Sequence, residues 1–117
     1  MHIGYVNGFV SNFATVRDFF TETIGLKCMS DEEEFGYASF QAGDISFAIA
    51  QTDDEALVGR HTGVGFMTAD IDKKYQRLIE QQVEFEMPPT PQPWGGVLAL
   101  FKDPDGNVYY LDPGMHH

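Results

Sequence analysis

Cysteine is nearly absent, with Cys28 alone among 117 residues. No intramolecular disulfide can form, which excludes the disulfide-stapled secreted scaffolds. Long apolar runs are missing too, and none approaches the ~20 residues that a membrane-spanning helix needs. The start, Met1-His2-Ile3-Gly4, lacks a basic region followed by an apolar stretch, so no signal peptide is expected and the reading places the chain in the cytoplasm. Basic residues are scarce: seven Lys and Arg face eighteen Asp and Glu, for a formal charge of −11. Such a field repels phosphate backbones and anionic lipid surfaces, so neither nucleic acid nor membrane is an expected partner. It would suit a cationic ligand, although Asp31-Glu32-Glu33-Glu34 and Asp53-Asp54-Glu55 read more simply as solvated turns.

Aromatic residues are plentiful, with ten Phe and five Tyr, and hydrophobic residues reach 43%, enough for one compact core in a chain of this length. Their arrangement repeats. His2 to Val10 is strand-like, and Asn12 offers an N-cap to a helix from Phe13 to about Ile24 that places Phe13, Val16, Phe20 and Ile24 on one face. Gly25 supplies the stop. Strands follow over Leu26–Ser30, Phe35–Gln41 and Ile45–Gln51, the last two joined by the turn Ala42-Gly43-Asp44. The order is βαβββ.

The same order returns from His61. A strand runs to about Thr68, Asp70 caps a helix carrying Ile71, Tyr75 and Leu78 on one face, and Val83–Glu86 is the next strand. Met87-Pro88-Pro89-Thr90-Pro91-Gln92-Pro93 reads as a connection, because proline has no ladder donor. Strands Gly95–Lys102 and Val108–Leu111 flank the turn Asp103-Pro104-Asp105-Gly106-Asn107. The expected class is α+β, one domain of two tandem βαβββ modules: residues 1–51, a linker 52–60, residues 61–112, and a tail 113–117.

Val10-Ser11-Asn12 before a helix ending Ile24-Gly25-Leu26, and Pro93-Trp94-Gly95-Gly96 followed by Phe101-Lys102-Asp103-Pro104-Asp105-Gly106-Asn107, carry a resemblance. The chain resembles the vicinal oxygen chelate superfamily of glyoxalases, bleomycin-resistance proteins and ring-cleaving dioxygenases, from Met1 to Asp112. The resemblance implies curved sheets around a cleft with helices outside. It also implies a divalent metal there, held by His, Glu or Gln. In the family the first ligand stands seven residues before the helix cap, which is Tyr5 here, and the same count back from Asp70 gives Gly63. The ligand four residues after the turn glycine falls on Tyr110, and the fourth falls on Ala48 or Phe47. None supplies imidazole or carboxylate, the lone pairs such a metal requires. The resemblance is therefore to the metal-free bleomycin-resistance-like branch, with no cofactor.

If Tyr5, Ala48, Gly63 and Tyr110 face the cleft, strand alternation brings Asn7, Ser46, Gly65 and Met67 there as well. Small residues make space and aromatics supply stacking faces, a composition suited to a small planar organic ligand. Trp94 either closes over that ligand or plugs the barrel end. Gly4, Gly8, Gly63 and Gly65 lie in predicted strands rather than in a phosphate loop, and allow a close approach or mark bulges. The second reading is an enzyme. It would be a metal-dependent lyase, isomerase or dioxygenase with a displaced ligand at His61, drawing on Glu84 and Glu86, or one using tyrosine acid–base chemistry. His116 and His117 are set aside from functional argument. Open sheet edges and the resemblance together imply a homodimer.

Overall fold

A computed structural model describes residues 1–114, which divide into one compact unit over Met1–Gly59 and a second beginning at Arg60. The first contains β1 (Tyr5–Val10), α1 (Phe13–Asp18), a π-helical segment (Phe19–Ile24), β2 (Lys27–Glu32), β3 (Tyr37–Ala42) and β4 (Ile45–Gln51). The second contains β5 (His61–Met67), α2 (Ile71–Glu80), β6 (Phe85–Pro91), β7 (Val97–Lys102) and β8 (Val108–Asp112). Each is a four-stranded sheet, ordered β1-β4-β3-β2 and β5-β8-β7-β6. In both, the first strand pairs parallel with the last and the remaining pairs are antiparallel. The fold is α+β, as the repeat predicted.

One face of each sheet is apolar because alternate residues along its strands are. In the first unit Val10, Ala38, Phe40, Phe47 and Ile49 are buried with Phe13, Val16 and Phe20 of the helical segment. The Phe20 ring meets Phe47 edge-on at 5.0 Å and lies 5.9 Å from Phe40. Burying one such ring stabilises by roughly 1.5–3 kcal/mol, so this cluster outweighs any weakness in the helix ends. In the second unit Ile71, Leu78, Val83, Ala99, Phe101, Tyr109 and Leu111 are buried, and Tyr75 packs edge-on against Phe85 at 4.7 Å.

Several sequence expectations change in detail. The first helix is α-helical only to Asp18 and continues as a π-helix, where the Gly25 N–H donates to the Phe20 carbonyl five residues back. That wider winding turns Ile24 off the buried stripe, leaving it half-buried. Asn12 makes no side-chain cap bond, whereas Asp70 accepts from the Lys73 N–H at 3.1 Å as expected. The first strand begins at Tyr5, not His2, and Phe35 ends a short 3₁₀ turn instead of opening β3.

The Pro-rich stretch is the largest correction. Met87 to Pro91 was expected to be a connection but lies in β6, paired with β7 at Phe85↔Phe101, Met87↔Leu100, Thr90↔Leu98 and Pro91↔Val97. Two circumstances admit the prolines. β6 is an edge strand, with one row of backbone donors outside the ladder, and the register shifts between Met87 and Thr90, where Pro88 and Pro89 lie. Among the described residues no helix is long and apolar enough to cross a membrane.

The acidic run also has a partner. Arg17 on α1 pairs with Asp18 at 3.1 Å, with Asp31 at 3.3 Å and with Glu33, and its guanidinium lies over the Phe13 ring. Asp31 and Glu33 thus tie α1 to the far edge of the sheet instead of being simply solvated. These carboxylates are exposed, so the contribution of each pair is modest.

Candidate functional site

The helix-covered face of each sheet is core, so the opposite face is where ligand chemistry can stand. In the first sheet the register pairs Tyr5 with Ser46 and Asn7 with Ala48, and paired residues share a face. All four predicted residues of this unit therefore lie together on the face opposite α1. Tyr5 is 65% exposed, an unusual setting for a large aromatic on a strand. Ala48 has no exposed surface and forms the floor between Asn7 and Ser39.

In the second sheet Gly65 pairs with Tyr110 and Met67 with Asp112. Phe66, between them in sequence, packs on the opposite side against Phe101 and Tyr109, so Gly65, Met67 and Tyr110 share the non-core face. Met67 is 70% exposed. Trp94 stands at the tip of the β6–β7 hairpin, where the Gln92 N–H donates to the Gly96 carbonyl at 2.7 Å and the Gly95 N–H to the Gln92 carbonyl at 2.9 Å. At 62% exposed it is not a buried plug within its own unit.

Gly63 behaves differently. The β5–β8 pairing is irregular between His61 and Gly65, and Gly63 has φ +75°, a left-handed conformation that a side chain would strain. Two backbone donors leave the ladder here and both find side chains: the Gly63 N–H donates to His61 Nδ1 at 3.1 Å, and the Val64 N–H to Thr62 Oγ1 at 3.1 Å. Thr62 in turn donates to the Val108 carbonyl at 2.7 Å. The His61 ring lies 4.8 Å from that of Tyr110, so it joins the same face. Strand alternation over the two residues from His61 to Gly63 points to this same face.

The metal implied by the resemblance does not fit. Two phenols, a methyl group and a glycine offer no donor set. The displaced alternative fails on topology, because His61 is on β5 while Glu84 and Glu86 precede or enter β6, at the opposite sheet edge about 14 Å away by strand spacing. Glu84 is also engaged by Lys102 Nζ at 3.2 Å. Among the described residues no three His, Cys, Asp or Glu side chains converge to hold a metal ion. His116 and His117 lie outside the described residues.

The Asp-Pro-Asp-Gly-Asn turn proves to be a knot. Asp103 is buried and accepts four hydrogen bonds: from the backbone N–H of Asp105 (2.9 Å) and of Asn107 (3.1 Å), from Asn107 Nδ2 (2.9 Å) and from Tyr109 Oη (2.8 Å). Burial pushes its carboxyl above the usual range, while the bonds from Asn107 and Tyr109 oppose that shift. Burial and the neighbouring Asp103 push the Tyr109 phenol far above its ordinary value. Tyr109 is consequently a fixed donor on the core side, and only its neighbour Tyr110 faces the candidate site.

Residues 2–109 match the model of the Glyoxalase/Bleomycin resistance protein/Dioxygenase superfamily. The chain belongs to this superfamily. Among superfamily structures it is similar to a member from Sphaerobacter thermophilus, with 27% identity, a TM-score of 0.83 and 96% of each chain covered. It is also similar to TnmS3, an antibiotic binding protein from Streptomyces, with 30% identity, a TM-score of 0.81, and 96% of this chain and 94% of that one covered. The YraH protein of Bacillus subtilis is 28% identical over 112 residues, 85% of this chain and 88% of its own length. The chain thus has the superfamily's fold with Tyr5, Ala48, Gly63 and Tyr110 at the positions where the resemblance implies metal donors.

A recess of about 310 Å³ lies elsewhere on the first unit, lined by Glu33, Glu34, Phe35, Gly36, Gln51, Thr52 and Asp53. It shares no residue with the predicted set.

Proposed function

We propose that this superfamily member is a metal-free binding protein that sequesters a small planar organic molecule, cationic or neutral, on the helix-free face of a sheet, with Tyr5 in the first unit and Tyr110 in the second as the candidate stacking residues. The observation that carries the reading is the replacement of the family's metal donors by Tyr5, Ala48, Gly63 and Tyr110, with Tyr5 left exposed. Exposed aromatic and thioether surface beside small residues favours stacking on a flat ligand over coordination of an ion. The likeness to TnmS3 supports the same class, and an antibiotic is then the first kind of ligand to try. The acidic surface disfavours anions, although exposed charges are screened beyond about 8 Å at physiological salt. A homodimer in the cytoplasm completes the reading, each sheet having open edges that a second copy can cover.

Thermal-shift screening of a mixed library, with Trp94 fluorescence as a second signal, tests it. Planar cations or neutral aromatics should stabilise the protein, and Tyr5→Ala or Tyr110→Ala should weaken that effect. Stabilisation chiefly by small phosphorylated or carboxylated metabolites, unaffected by either substitution, would refute the assignment. Sedimentation should give twice 13.1 kDa, and a monomer at micromolar concentration would remove the dimer.

A further inference from the structure

The irregular start of β5 fixes more than a backbone path. A neutral imidazole has one nitrogen lone pair and one N–H, and which nitrogen carries the proton follows from the bonds around the ring. His61 Nδ1 accepts the Gly63 N–H at 3.1 Å, so the neutral ring's proton resides on Nε2. The lone pair that a metal would need is thus already engaged at Nδ1. His61 is exposed, and among the described residues Nε2 has no partner. Contact with the Tyr110 ring at 4.8 Å limits the ring's freedom, so this donor is presented at one place on the sheet face.

We propose that His61 is a ligand-binding residue whose Nε2–H donates a hydrogen bond to a neutral acceptor oxygen, such as a carbonyl, on a planar molecule resting by Tyr110. This rests on the small-molecule reading above and narrows its ligand class. A donor prefers an oxygen acceptor over a cation. The −11 charge of the chain disfavours carboxylate or phenolate acceptors relative to uncharged ones, of which a carbonyl oxygen is the simplest to test. Gly65 opposite Tyr110 keeps the surface low, since it adds no side chain beside the ring.

Two measurements on the full chain test it. Nitrogen-15 shifts of the His61 ring, assigned by comparison with His61→Asn, should show the Nε2–H tautomer in mildly alkaline buffer; the Nδ1–H tautomer overturns the proposal whatever binds. Calorimetric titration with 9-fluorenone and with fluorene, its carbonyl-free counterpart, supplies the second. His61→Asn can still accept the Gly63 N–H through its own side chain but does not reach the ring's outer edge, and His61→Phe keeps the ring without the donor. Both variants should bind fluorenone about tenfold more weakly and leave fluorene unchanged, the size expected for one hydrogen bond. If wild type binds both probes but shows no ketone preference lost in the variants, the donor role falls and the binding reading stands. If neither probe binds wild type, the binding reading fails and this proposal fails with it.

Discussion

The two units share one topology and differ in where their backbones are irregular. In the first, β1 runs against β4 in unbroken register from Tyr5 to Val10, the β2–β3 pairing shifts between Cys28 and Ser30, and the helix unwinds into π geometry after Asp18. In the second, α2 is regular and properly capped, the β6–β7 pairing shifts as its counterpart does, and β5 pairs irregularly with β8 between His61 and Gly65, where β1 has no such break. A duplicated fold thus needs only its strand order and its core face to match. Each unit can carry its distortions in different places, and the second has one beside Tyr110, where the Gly63 N–H donates to His61 Nδ1.

The last hairpin gives the largest expected contrast. Asp103→Ala removes the acceptor for two buried donors, Asn107 Nδ2 and Tyr109 Oη, and should cost about 3 kcal/mol by urea denaturation. Asp44, exposed in the equivalent turn of the first unit, should cost less than about 0.5 kcal/mol when changed to Ala. Equal losses would mean that the knot is not what holds the second hairpin. The same carboxyl carries a pH signature. Because burial raises its folded-state pKa, its contribution to stability is fully present below the unfolded value of about 3.9 and is lost as pH rises through the folded value. The stability of wild type relative to Asp103→Asn should therefore decline as pH rises from about 4, and a rise over that range would reverse the assigned shift.

The β5 distortion should be the next most sensitive. Gly63→Ala forces a side chain into a left-handed conformation and should lose about 1–2 kcal/mol. Gly65→Ala, two residues on, meets only the Tyr110 Cβ at an ordinary 3.7 Å and should be close to neutral. Thermal unfolding of the two variants side by side separates a bulge from a plain strand. The helix caps give the smallest contrast. Asp70→Ala should cost about 1 kcal/mol through the lost bond to Lys73, and Asn12→Ala less, since Asn12 makes no such bond.

The repeat was legible in sequence because its punctuation is local. Asp70, Gly25 and the Asp103–Asn107 turn act through their own neighbours, and apolar alternation marked Ile45–Gln51 as a strand. Alternation also placed Tyr5, Asn7, Ser46 and Ala48 on one face, which the β1–β4 register reproduces. What stayed hidden depends on distant partners. Pro88 and Pro89 are admitted to a strand because β6 is an edge and its register shifts where they stand, both properties of the assembled sheet. The burial of Asp103 depends on Tyr109 reaching back across the hairpin, and the orientation of His61 on a positive φ at Gly63 that no spacing rule supplies.

Elemental analysis tests most directly the proposal that this superfamily member binds organic molecules without a metal. Protein purified without chelator and dialysed against metal-free buffer should contain far less than one equivalent of zinc, nickel, manganese or iron per chain. One tightly held ion per chain, lost on His61→Ala, would contradict the account.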